Sequence, residues 1–372
     1  MTDALLTLNA GSSSLKFQLF GLTKDLPLLA GGKVSGIGSV PQFRMHANDG
    51  SHGECGDLPS HTDAASALGY ILDRLEAGSA QWRLMACAHR VVHGGPDFTH
   101  AVELNSEVLR VLGSLIPLAP LHQQDNLAPV AGLWQRHPCL RQFACFDTAF
   151  HAGHDALTTT YALPASIRDS GVRRYGFHGL SYAWIAQRLK EDLPHLAEGR
   201  VIAAHLGNGA SLCALKSGRS IDTTMGLTAL DGLPMGTRCG SLDPGAVLYM
   251  QTALNLSPAA VEDVLYNQSG LKGLSGISND VATLLDSSDP RALFALDYFV
   301  LKAAQNIAAM AVSVGGIDAI VFTGGIGENA SSIREKILSR LGFLQPFETH
   351  VIPANEERAM ALEVQARYFG GK

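Results

Sequence analysis

Apolar runs that break at a small polar turn and then resume recur along this chain, and the two most alike are Leu5–Phe20 and Val201–Leu215. The first, LLTLNAGSSSLKFQLF, interrupts an apolar run at Asn9–Ser14 and then alternates apolar and polar positions, which predicts two strands joined by a tight turn. The second, VIAAHLGNGASLCAL, repeats the grammar, and setting Asn9–Leu15 against His205–Leu212 requires one inserted residue. Such self-similarity points to a duplicated domain. Strands are also expected over Leu84–Val92, Gln142–Phe146 and Ile317–Phe322. Helical spacing marks Asp63–Leu75, Asn126–Trp134, Ser181–Lys190 and a C-terminal stretch containing Asn355, Glu356 and Glu357. Asp289-Pro290 and Gly315-Gly316 bracket a long, largely apolar helix up to Val314, as in a buried or subunit-contact helix. Mixed strands and helices with this repeat predict an α/β protein of two duplicated domains. The expected division is 1–149 and 150–352, with the C-terminal helix 353–372 returning to the first domain.

Composition narrows the class. The chain has 372 residues, 46% apolar and 17% charged, enough for two compact cores. A net charge of −6 without a basic run argues against a nucleic-acid surface. The apolar stretch Ile307–Ile317 is too short to span a bilayer, so no membrane role is expected. The six cysteines have no metal-ligand spacing, and the N-terminus enters a strand at once. Reduced thiols and a cytoplasmic location follow as expectations.

The turns then acquire chemistry. Gly11 allows close backbone approach, and the hydroxyls of Ser12, Ser13 and Ser14 with exposed N–H groups suit a phosphate. Lys16 offers a point charge and Asn9 a neutral oxygen for a metal or its waters. Arg90, His122, His178, His205 and Arg238 fall in segments that read as loops or strand ends beside Gly or Pro, where function concentrates. Arg suits bidentate grip on planar oxyanions. Asp147 stands at a strand tip. The run Thr323-Gly324-Gly325-Ile326-Gly327-Glu328-Asn329 follows a strand and precedes a helix, a seat for a base or ribose without dinucleotide or Walker A spacing. Together these parts describe phosphoryl transfer, which needs positioning and charge neutralisation above all.

The segments NAGSSSLKF, AHRVVHGG, PLAPLH, CFDTAFH, RRYGFHGLSY, AHLGNGASL, DTTMGLTALDGLPMGTRCGSLDPG, VFTGGIGEN and IPANEE occur in this order over residues 5 to 360. In this the chain resembles the acetate and butyrate kinase family of the sugar kinase/Hsp70/actin superfamily. The resemblance implies two duplicated ribonuclease H-like (actin-like ATPase) domains with a central cleft. It further implies direct, Mg²⁺-dependent (Mn²⁺ also suitable) transfer between ATP and acetate, giving ADP and acetyl phosphate, in a homodimer. By matched motif, Asn9 and Glu356 would hold the metal and Lys16 and Ser12 would contact nucleotide phosphates. Arg90 would grip the acyl carboxylate, with Val92, Leu121, His122 and Phe177 around the acyl group. His178 and Arg238 would stabilise the moving phosphoryl group, and Asp147 is the family's proposed acid/base. His205, Leu206, Gly207, Asn208 and Gly209 would bind ATP, as would Asp280, Val281, Ala282, Gly325, Ile326, Gly327, Glu328 and Asn329.

Chemistry qualifies one of these roles. A carboxylic acid of pKa about 4–5 is already ionised at neutral pH and needs no base, so Asp147 is expected to orient Arg90 or the metal. Two departures bear on specificity. Ala282 stands where the family has Arg, removing one nucleotide contact. Ala229 stands where Pro is common, leaving room beside the acyl group for one more methylene, worth ~0.8 kcal/mol. The alternatives are a propionate or other short-chain acyl kinase, a catalytically silent actin-like nucleotide binder, and a hydrolase using Asp147 as nucleophile.

Overall fold

A computed structural model describes residues 1–11, 13–47, 53–77, 81–120 and 122–370. The chain forms two compact units, one of residues 1–150 with 355–372 and one of residues 151–354. In the first, strands β1 (Thr2–Gly11), β2 (Ser14–Gly21), β3 (Leu28–Ser35), β4 (Gln42–Ala47), β5 (Glu54–Asp57), β6 (Trp82–Val91), β7 (Val102–Glu103) and β8 (Arg141–Phe146) make one sheet. Their order is β5-β4-β3-β2-β1-β6-β8-β7. In the second, β9 (Arg200–Leu206), β10 (Ala210–Lys216), β11 (Arg219–Thr223), β12 (Ala319–Thr323) and β13 (Glu348–Val351) make a sheet ordered β11-β10-β9-β12-β13.

Both sheets carry one five-strand plan. An antiparallel meander (β1-β2-β3; β9-β10-β11) is extended on its first strand by two parallel strands (β6, β8; β12, β13). The duplication seen in the two apolar-turn-apolar segments is thus a duplication of topology. The inserted residue lies in the turn: Gly11 pairs with Ser14 in the first hairpin, whereas Leu206 pairs with Ala210 across three residues in the second.

The first hairpin's even positions, Leu6, Leu8 and Ala10 with Leu15, Phe17 and Leu19 opposite, bury against the helix Ala64–Ala77. The odd face, carrying Thr7 and Asn9, lies under the C-terminal helix Glu356–Val364. Asn355 caps that helix by accepting from Arg358 N–H at 3.0 Å, and Arg358 donates to the carbonyls of Leu26 and Asp25. The cap sets Glu356 and Glu357 in the first turn, where the helix dipole favours acids.

The long helix is Pro290–Val314, capped by Asp289 and ended by Gly315 in the left-handed region. The run Gly324–Asn329, expected only as a link from a strand to a helix, is itself a short helix. Its three glycines argue for a loop, but the Glu328 carboxylate accepts both the Gly324 and Ala354 N–H groups at 2.9 Å and holds the turn closed.

Candidate active site

In the first unit the parallel pairing of β6 with β1 and β8 sets Arg90, Asn9 and the end of β8 side by side. Arg90 donates from Nε to Asp147 Oδ1 at 3.0 Å and from Nη2 to Oδ2 at 2.6 Å, a fork-to-fork pair. Its third face turns to Asn9, with Nη1 3.2 Å from Oδ1. Asn9 Nδ2 in turn donates to Glu356 Oε2 at 3.0 Å and to Glu357 Oε1 at 3.1 Å. Glu356 also lies 3.7 Å from Arg90 Nε. Burial disfavours the Arg90 charge, but Asp147 and Glu356 outweigh it and hold the guanidinium pKa above its ordinary value. Asp147 is almost fully buried. Lys16, paired with Asn9 across β1 and β2, is exposed beside them.

The second unit assembles around the turn Gly207–Gly209. Gly176 (φ 80°) and His178 (φ 58°) both adopt left-handed backbone, which turns the chain into the helix Gly179–Asp192. A Cβ on Gly176 would lie 2.5 Å from Thr223 Cγ2, so glycine is required there. This bend lays the His178 ring on that of His205, with centroids 4.3 Å apart and planes 22° from parallel. His178 Nδ1 meets Ser211 Oγ at 2.8 Å, and His205 Nδ1 meets Ser181 Oγ at 2.9 Å. A Cβ built on Gly209 would lie 3.3 Å from His178 Nε2 and 3.9 Å from Arg238 Nη1. One on Gly207 would lie 3.6 Å from His205 Nε2 and 3.9 Å from the Gly325 amide. The bare turn is therefore ringed by two imidazoles, a guanidinium and a backbone N–H, the donor set that a phosphate chain requires. Arg238 Nη1 is steadied by the Ala229 carbonyl at 3.2 Å.

Other predicted residues fall as follows. Val92 is buried, and its N–H donates to Asn126 Oδ1 at 2.9 Å. Phe177 is buried, its carbonyl facing His151 Nε2 at 3.0 Å. His122 immediately precedes the helix Gln123–Arg136. Asn208 is exposed, its Oδ1 accepting from Asn279 Nδ2 at 3.2 Å. Leu206 and Val281 are core side chains, so only their backbone could meet a ligand. The Asp280 carboxylate caps the helix Val281–Leu285, leaving Ala282 exposed. Gly325 and Asn329 are exposed, Ile326 is half-buried and Gly327 is buried. Ser12 and Leu121 lie outside the described residues. The structure adds residues that sequence reading missed. Glu357 stands beside the expected Glu356, and Asn126 ties the Val92 N–H to the Ala10 carbonyl. Ser181 and Ser211 stand behind the histidines.

A divalent cation would be met in the first unit by oxygen donors, the Asn9 amide and the Glu356 carboxylate. No group of three or more His, Cys, Asp or Glu suited to a metal occurs among the described residues. The pair fits a hard ion that takes one or two carboxylates and completes its shell with waters and substrate phosphates.

The class defined by these two repeated sheets and their turns is that of duplicated actin-like α/β kinases. The Acetokinase family profile matches residues 4–360. The chain is 49% identical over 350 residues to an acetate kinase of Nitrobacter hamburgensis, covering 92% of this chain and 85% of that protein. It is 47% identical over 369 residues to an acetate kinase of Rhizobium meliloti, covering 97% and 91%. Among solved structures, the acetate kinase of Porphyromonas gingivalis superposes with a TM-score of 0.86 at 32% identity, covering 98% of this chain and 99% of that one. A propionate kinase from Francisella tularensis superposes at 0.89 with 34% identity, covering 97% and 98%. The chain belongs to the acetokinase family.

Proposed function

We propose that this chain catalyses reversible phosphoryl transfer between ATP and acetate, giving ADP and acetyl phosphate. What carries the reading is the meeting of His178 Nε2 and Arg238 Nη1 over the bare Gly209, where charge on a transferring phosphoryl group would need them. Arg90 takes the acetate carboxylate, and Asp147 orients the guanidinium that does so. Val92, Leu121 and Phe177 receive the methyl group, and His122 is a further substrate contact. Lys16 and Ser12 contact nucleotide phosphates, the 205–209 turn cradles them, and 280–282 with 325–329 meets the rest of the nucleotide. Asn9 and Glu356 would hold Mg²⁺, or Mn²⁺ in its place, and a cation there supplies charge neutralisation to phosphate oxygens. Acetate is ionised at neutral pH and attacks without a general base.

The similarity to a propionate kinase favours a second reading of the same chemistry on a longer acid. Ala229, whose carbonyl supports Arg238, is small and consistent with it. Trapping acyl phosphate as hydroxamate with ATP, Mg²⁺ and a panel of acetate, propionate and butyrate tests both. The expected result is the highest kcat/KM with acetate, with Arg238→Ala costing roughly 10³-fold. A propionate advantage overturns the acetate assignment, and ATP binding without any acyl phosphate overturns the kinase.

The protein acts as a homodimer in the cytoplasm on this reading. Leu248, Tyr249, Phe294 and Val312 are exposed large apolar residues on helices of the second unit, and all six cysteines are free thiols. No helix among the described residues is long and apolar enough to cross a membrane.

A further inference from the structure

The two stacked histidines share a feature that phosphate binding alone does not require. Each presents Nε2 to the Gly207–Gly209 turn and rests its Nδ1 on a serine hydroxyl, and both serines are fully buried. Behind Ser211 stands Tyr182, also fully buried, hydrogen-bonded to the same hydroxyl. Burial pushes the Tyr182 phenol well above its ordinary pKa, so it keeps its hydrogen. Its buried hydrogen needs an acceptor, and the Ser211 oxygen lies at hydrogen-bond distance to take it. A serine oxygen that accepts from Tyr182 has one hydrogen left, and His178 Nδ1 is its partner. Rings 4.3 Å apart also oppose a positive charge on both at once.

We propose that Ser211, backed by Tyr182, is a positioning residue that fixes His178 in the tautomer with hydrogen on Nε2. The turn then meets a phosphate chain with the His178 ring N–H beside the Arg238 cation, and that ring does not have to reorient or take up a proton during transfer. The proposal rests on the kinase reading for its purpose, but its structural content is independent of turnover.

The test is a long-range ¹H–¹⁵N spectrum of the full-length protein labelled at histidine, recorded at neutral pH. His178→Gln and His205→Gln assign the signals. Wild-type protein is expected to show His178 with a bare Nδ1 and a protonated Nε2. Ser211→Ala is expected to give His178 a mixture of tautomers and to lower kcat about tenfold or more, as a lost tautomer does, while the ATP KM stays within about twofold. Tyr182→Phe keeps the serine and should reproduce the spectral change in weaker form. A wild-type His178 protonated on Nδ1, or a Ser211→Ala or Tyr182→Phe spectrum and kcat identical to wild type, overturns the proposal. Wild-type protein with the expected spectrum and no acyl-phosphate formation would instead sink the kinase reading and leave the His178 tautomer standing.

Discussion

Asp147 is the residue whose expected role bears most directly on the chemistry. Acetate is ionised at neutral pH and needs no base, so this strand-tip carboxylate is expected to orient Arg90 or the metal rather than to act as a base or a nucleophile. In the fold both its oxygens are committed to Arg90, at 3.0 and 2.6 Å. Losing one partner of a buried charge pair strands the other, typically at about 3–5 kcal/mol. Asp147→Asn can still accept one N–H from Arg90, whereas Asp147→Ala cannot. The asparagine variant is therefore expected to retain about ten times more kcat/KM for acetate than the alanine variant, both below wild type. Equal, complete loss in both would mean that the charge itself takes part. Arg90, Asp147 and Asn9 could be singled out because each reads as part of a turn or an element end, whereas Glu356 was marked only by the matched motif. Glu357, Ser181, Ser211 and Asn126 were not legible. Each acts on a residue brought near only by tertiary folding, as Asn9 and Glu357 are joined across 348 positions, and no local pattern marks such a pair.

At the scale of elements, both hairpins could be read because apolar runs and a glycine-bearing turn are local signals. The helix Gly324–Asn329 could not, since a distant backbone N–H on Ala354 shares the carboxylate that closes it. The strands and loops also bury histidines. Burial lowers the pKa of His89 in β6 to about 4, against a small opposing effect of its Gln142 hydrogen bond. Burial likewise brings His154 to about 4 and His151 to about 3. Unfolded histidines titrate near 6.5, so between pH 6.5 and about 4 the unfolded chain binds protons that the folded chain refuses. Stability contributed by these neutral rings is complete above 6.5 and is lost as pH falls through that window. Urea midpoints are expected to drop between pH 7 and pH 5, and His89→Gln should reduce the drop. An unchanged midpoint at pH 5 would contradict this account.

At the scale of the whole molecule, one five-strand plan is used twice and specialised twice. One copy gathers Arg90, Asp147, Asn9 and Glu356; the other gathers His178, His205 and Arg238 about a glycine turn. The exposed apolar residues of the second copy predict a dimer, which light scattering would report as about 79 kDa, twice the 39.4 kDa chain; a 39.4 kDa particle would refute it. The central claim is that acetate attacks the phosphorus directly while Asp147 only holds Arg90. Transfer from ATP made chiral at its terminal phosphorus with oxygen isotopes tests that claim most directly. One in-line displacement inverts the configuration in acetyl phosphate, and inversion is the result predicted here. Retention, the sum of two displacements through a phosphorylated Asp147 or any other enzyme group, would contradict it.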